Sequence, residues 1–203
     1  MNPVPVVLYG DRVRIEPLDH RHIDDLLAAA KDPEIWRYMP IPAPATEADM
    51  TTLIDDAWRR AATGDQLPFA VIDTATDRAV GSTRYLEIRR SWRTLEIGWT
   101  WLGASAQRTI VNTECKSLLL HHAFEELGAL RVQFKTDARN ERSQRGLERI
   151  GAVKEGVLRK HRINWDGFVR DSVYYAIIDT EWPAVKERLE GMLMGRPIPV
   201  VSG

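Results

Sequence analysis

Cysteine is nearly absent from this chain: Cys115 is the single one among 203 residues. One thiol cannot build an intrachain disulfide framework or a multi-cysteine zinc site, so a reducing compartment fits. Its place in the apolar register of a helical stretch reads as a small buried filler, not a nucleophile. No run approaches the eighteen or so apolar residues of a membrane-spanning helix. The N-terminal MNPVPVVLYGD has neither a basic start nor an uninterrupted apolar run, so no secretory signal is expected. A cytoplasmic location follows as the expectation. A dominant charge is lacking too: 28 Lys and Arg stand against 29 Asp and Glu, a formal −1, and attraction to nucleic acid or membrane is not indicated. His20 and His22, like His121 and His122, form no ligand constellation, and no metal is expected.

What is present is ordinary for a globular chain, 44% hydrophobic and 28% charged. Residues 1–203 read as one domain, with a core over 12–189 and a loose tail over 194–203. The charge is uneven along it. Residues 129–171 hold eleven Lys or Arg against six Asp or Glu. That excess is either a solvated charged face or the bed of a polyanionic ligand.

Arg12–Pro17 alternates charged and apolar residues as a strand does, and Asp19 can cap a helix carrying Ile23, Leu26, Leu27 and Ala30. The Pro-rich link DPEIWRYMPIPAPA ends it. Thr46 with Asp49 then opens a second helix with Met50, Leu53, Ile54, Ala57 and Trp58 on one face. Phe69–Asp73, Ala79–Glu87 and Thr94–Leu102 predict an antiparallel meander. A long helix from about Val111 to Leu127 stops at Gly128, and Val132 and Phe134 mark the next strand. Asn140 caps a helix that Gly151 ends. Val153–Leu158 and Ser172–Ile178 flank an arm with an Asp166-Gly167 turn, and a last helix runs through Trp182, Val185 and Leu189. The order predicts a mixed α/β (α+β sandwich) fold, its mostly antiparallel sheet of about seven strands flanked by helices.

The stretch Leu95–Gly128 reads strand, polar turn, helix, and a helix starting there aims its first amides at the turn, a place suited to phosphate. With NERSQRGLERIG at Asn140–Gly151, it resembles the GNAT superfamily of acyl-CoA-dependent N-acyltransferases, and Asn112, Thr113, Glu114 and Lys116 resemble the NTEAK helix start of its ribosomal-protein N-terminal branch. The resemblance implies acetyl-CoA as co-substrate, held by Gln107, Arg108, Thr109, Asn112, Thr113 and Asn140, and direct attack by the amine without a covalent intermediate. It implies a backbone N–H for the thioester oxygen from the fourth strand, at Trp101 and Leu102. The turn departs from the family's Gln/Arg-x-x-Gly-x-Gly/Ala pattern: Ile110 and Asn112 replace small residues, and a β-branched Ile resists positive φ. Arg108 adds a charged fork that can compensate.

Transfer to an amine needs a neutral nitrogen, a polarised carbonyl and a proton for the thiolate. Glu96 is the base candidate: strand alternation groups it with Gly98 and Thr100 on one face, Leu95, Ile97, Trp99 and Trp101 on the other, and burial brings a carboxylate nearer the working pH. A structurally paired glutamate is the other reading. Ser143 resembles the family's proton donor, with Tyr174 in reserve, although either can serve simply as a cap or as packing. Trp36, Tyr38 and Trp165 are expected to line the acceptor groove. Branch resemblance points to a protein N-terminal amine. A small amine such as a polyamine or aminoglycoside, taken up by a strongly acidic groove, is the rival, and a non-catalytic acyl-CoA-binding regulatory protein is another. A monomer or a homodimer is expected.

Overall fold

Hydrophobic alternation and helical periodicity resolve, in the computed structural model, into eight strands and five helices over residues 1–195, the described part of the chain. The expected loose tail lies outside the described residues from 196 onward. Strands are β1 (Leu8–Tyr9), β2 (Val13–Pro17), β3 (Leu67–Asp73), β4 (Arg78–Arg89), β5 (Thr94–Leu102), β6 (Arg131–Asp137), β7 (Val153–Ile163) and β8 (Val169–Ile178). Helices are α1 (Ile23–Ala29), α2 (Glu47–Ala61), α3 (Val111–His121), α4 (Glu141–Ile150) and α5 (Trp182–Leu193). The short β1 is the strand that the sequence reading missed; two residues carry no alternation to detect.

One sheet runs β1-β2-β3-β4-β5-β6-β8-β7, antiparallel except between β5 and β6. Each face buries its own core. Ile15, Phe69, Tyr85, Leu95, Ile97, Val132 and Phe134 pack under α3, α4 and α5, while Ala70, Ile72 and Trp101 pack under α1 and α2. The caps are as the side-chain chemistry requires: Thr46 and Asp49 close a reciprocal box at α2, and Asn140 Oδ1 accepts the Ser143 N–H, 3.0 Å, at α4. Helix α3 is shorter than the periodicity predicts, because a wider turn with Leu127 N–H on His122 O (2.9 Å) replaces its last α-helical turn.

Two irregularities position the site. The parallel pairing of β5 and β6 covers only Thr94–Arg131, Leu95–Val132 and Glu96–Gln133, after which the strands part. Between the β4–β5 pairs Arg84–Gly98 and Ser82–Trp101, β5 spends one residue more than β4, and Trp99 there has φ +50°. This bulge reverses side-chain parity. Thr100 therefore joins the α3 side and Trp101 the α1–α2 side, against the uniform alternation expected from sequence. Gly81 opposes this segment, where an added Cβ would meet Trp101 O at 2.2 Å.

Candidate active site

The parting of β5 from β6 opens a cleft of about 820 Å³ that runs from the start of α3 and α4, through the gap, to the α2 side of the sheet. Gln107, Arg108, Thr109, Asn112, Asn140 and Ser143 all line it, together with Trp101 and Leu102. The predicted residues of three segments, 101–102, 107–112 and 140–143, thus converge.

The glycine-poor turn is resolved by moving the left-handed residue. Ile110 has φ −66° and ψ −20°, ordinary helical values, so its β-branch meets no conflict. Arg108 instead has φ +59°. A non-glycine residue there costs about 1 to 2 kcal/mol. The turn is tied down by Gln107 Nε2 donating to Leu102 O (2.9 Å), Thr109 Oγ1 donating to Ala106 O (2.7 Å) and Arg142 donating to Gln107 Oε1 (2.8 Å). The first amides of α3 beyond Val111 have no acceptor within the helix until Glu114 reaches Ile110 O, 2.9 Å. Arg108, Arg142, Arg145 and Arg149 surround this end without a lining carboxylate, which is the charge arrangement a polyphosphate requires.

The Asn-Thr-Glu-x-Lys run has a tertiary contact for each later member. Thr113 is buried outside the cleft and accepts from Arg149 (3.1 Å), so it reaches the expected cofactor only by bracing α4. The Glu114 carboxylate accepts the N–H groups of Asp11 (2.9 Å) and Arg12 (2.8 Å) and fastens the β1–β2 turn to α3. Lys116 crosses to the gap and donates to Thr100 Oγ1, 3.0 Å. Burial, the largest cause, holds its ammonium down at about 8. Sequence reasoning saw this lysine as part of a motif and missed its place in the cleft. Cys115 is buried as expected, with burial pushing its thiol up to about 11.

Gly103 N–H donates to Val80 O (2.8 Å), so alternation along β5 turns the Leu102 N–H away from β4 and into the gap. Leu102 thus fits the oxyanion position better than Trp101, whose carbonyl faces Gly81. Glu96 lies at the last β5–β6 pair, 2% exposed, with Lys135 Nζ at 3.3 Å and Gln133 Nε2 at 3.2 Å. It is buried, and it has a counter-charge.

The remaining candidates disperse. Tyr174 shares the Glu96 face, since it pairs with Lys135, but its hydroxyl is 3.4 Å from His161 Nε2 and it does not line the cleft. Trp36 is 3% exposed, donates to Ala30 O (2.9 Å) and packs on Trp101 with ring centroids 5.0 Å apart, which makes it core instead of groove. Trp165 is 59% exposed at the β7–β8 turn, away from the cleft. Tyr38 alone of the three lines it, between the guanidinium groups of Arg37 and Arg139. Among the described residues no metal-ligating group of three or more side chains occurs, and no helix is long and apolar enough to cross a membrane.

Residues 12–153 match the family described as Acetyltransferase (GNAT) domain. A GCN5-related N-acetyltransferase from Brucella melitensis superposes with a TM-score of 0.89 at 30% identity, over 95% of this chain and 87% of that one. A Bacillus licheniformis protein named uncharacterized N-acetyltransferase p20 is 27% identical over 158 residues, 76% of this chain and 86% of that protein. Bacillus subtilis (strain 168) YdaF, provisionally named a ribosomal N-acetyltransferase, is 35% identical over 95 residues, 46% of this chain and half of that protein. With the parted strands, the basic turn and the family match in agreement, the chain belongs to the GNAT acetyltransferases and is an N-acetyltransferase that draws on acetyl-CoA.

Proposed function

We propose that this single acyltransferase domain moves the acetyl group of acetyl-CoA to a protein N-terminal amine. The observation that carries this reading is the division of charge along the cleft. Its α3–α4 end is lined by four arginines and no carboxylate, which suits the CoA phosphates. Beyond the gap, the carboxylates of Asp65, Glu87, Glu96 and Asp137 face the cations of Arg60, Arg89, Lys135, Arg162 and Arg170. A polycation needs an acidic groove, and this one is balanced, as befits a peptide with a single reacting amine. The branch resemblance of the Asn-Thr-Glu-x-Lys run and the name of YdaF support the same acceptor.

In this reading Gln107, Arg108, Thr109, Asn112 and Asn140 hold the cofactor end. The Leu102 N–H receives the oxyanion. Glu96 takes the amine's proton directly or through one water, with Lys135 and Gln133 fixing its orientation. Ser143 borders the pantetheine arm and Tyr38 the incoming peptide.

The test is CoA release, read with a thiol reagent, against a panel of peptides with free or blocked N-termini, spermidine and an aminoglycoside. Turnover of free N-termini only is the expected result; turnover of spermidine or the aminoglycoside alone would transfer the reading to small amines. Acetyl-CoA should also raise the melting temperature with concentration. No shift and no turnover would instead favour a regulatory role.

A further inference from the structure

We infer that Lys116 is the proton donor to the departing thiolate of CoA. The inference rests on the acetyl-transfer reading and adds a residue that reading does not use.

Lys116 projects from α3 into the gap between β5 and β6. Its Nζ is 3.0 Å from Thr100 Oγ1 on one lip and 5.6 Å from the centroid of the Phe134 ring on the other. Both lips lie beyond Glu96–Gln133, the last pair joining the two strands. An extended chain carrying amides is what two parted strand edges can accept, because each edge offers unpaired N–H and C=O groups to it. The pantetheine arm is such a chain, and the thioester at its end then comes to the ammonium.

The surroundings of Lys116 are unusual for a lysine. It is 7% exposed and makes no ion pair among the described residues. Thr100 Oγ1 is itself 2.8 Å from Thr83 Oγ1 on β4, so β4 and β5 present hydroxyls. Its sequence neighbours on α3, Glu114 and the Cys115 thiol, are respectively bound to the β1–β2 turn and buried; Arg149 of α4 is turned to Thr113; and on β6, Lys135 is on the opposite face with Glu96. A purely structural residue here would be apolar, since burying an unpaired ammonium is unfavourable. With its ammonium held near 8, the group is matched to a thiol, whose ordinary value is about 8.5. A serine hydroxyl is a far weaker acid, which makes Ser143 the poorer donor.

The amine nitrogen bonds to the carbonyl carbon and gives its proton to Glu96. The C–S bond then breaks with its electron pair on sulfur, and Lys116 supplies the proton that makes the thiol. Glu96 returns its proton to solvent and Lys116 regains one.

Lys116→Met and Lys116→Arg test this, with acetyl-CoA affinity measured by tryptophan fluorescence. For Lys116→Met the expected result is affinity within threefold of the parent and kcat lower by about 100-fold or more. The parent should lose kcat as the pH rises above 8, and the variant should not. Arginine keeps the charge but cannot release the proton, so it should not restore kcat. A second readout uses the unaltered protein: acetic anhydride labelling of Lys116 should rise through pH 8 and be blocked by bound CoA. Near-parent kcat in Lys116→Met, restoration by arginine, or labelling indifferent to CoA would each overturn the inference. Should the parent itself neither bind acetyl-CoA nor turn over, the acetyl-transfer reading fails instead.

Discussion

Lys135 Nζ stands 3.3 Å from the Glu96 carboxylate, joining the strand β6 to the one carboxylate placed at the mouth of the gap. Glu96 is 2% exposed, so the pair is one in which each charge depends on the other. Removing one partner of a buried pair costs about 3 to 5 kcal/mol, and the partial exposure of Lys135 puts the expectation at the lower end. Lys135→Met should therefore lower stability by about 3 kcal/mol in urea unfolding, and Glu96→Gln added to it should recover most of the loss. Additive losses in the double variant would show that the pair is uncoupled. In the assay, Glu96→Gln should lower kcat at least tenfold with acetyl-CoA binding retained; full activity would remove it as the base.

Lys116 makes a stability prediction with a definite sign. Its ammonium titrates near 8 in the fold against 10.5 when unfolded, so below pH 8 both states are protonated and the full penalty of the buried charge is present. Between pH 8 and 10.5 the unfolded chain holds the extra proton, and stability rises with pH. Lys116→Met should be more stable than the parent at pH 7, by about 3 kcal/mol from the displaced titration, with the advantage fading above pH 8. A melting series across pH reads this out. Lower stability in the variant at pH 7 would assign Lys116 a structural role.

Arg108 combines strain and charge at one position, and two substitutions separate them. Alanine removes the guanidinium but keeps the cost of φ +59°; glycine removes both. Arg108→Gly should be about 1 kcal/mol more stable than Arg108→Ala, while the two bind acetyl-CoA equally and more weakly than the parent at moderate salt. Unchanged binding in both would mean that the α3 amides suffice alone.

Glu114 fastens the β1–β2 turn through the N–H groups of Asp11 and Arg12. Glu114→Ala strands two amides that held charge-assisted bonds, and a loss of about 3 kcal/mol is expected. Hydrogen exchange should quicken at Asp11 and Arg12 with acetyl-CoA affinity little changed. A marked loss of affinity would extend the role of Glu114 to the cofactor end.

Periodicity and turn chemistry determined the element order, because 3.6-residue and two-residue spacings survive any tertiary arrangement. The meander β3–β4–β5, the long helix and the caps at Thr46 and Asn140 are where the pattern places them. The motif of Asn112, Thr113, Glu114 and Lys116 likewise marked the family from letters alone. What it does is invisible in the letters, since its partners Arg149, Asp11, Arg12 and Thr100 are distant in sequence. Parity along β5 is hidden from the sequence for the same kind of reason: one bulge residue, Trp99, is set by register against β4 and leaves no mark in the alternation. Trp36 and Trp165 show the limit for aromatics, whose composition is the same in a core, a groove or an exposed turn. The sequence by itself determined the layers and the family. Only the tertiary structure decided that Arg108 and not Ile110 bears the left-handed backbone, that Glu96 has Lys135 beside it, and that Lys116 reaches the gap. These depend on which strands part and which faces meet, and that is fixed by long-range packing, not by local spacing.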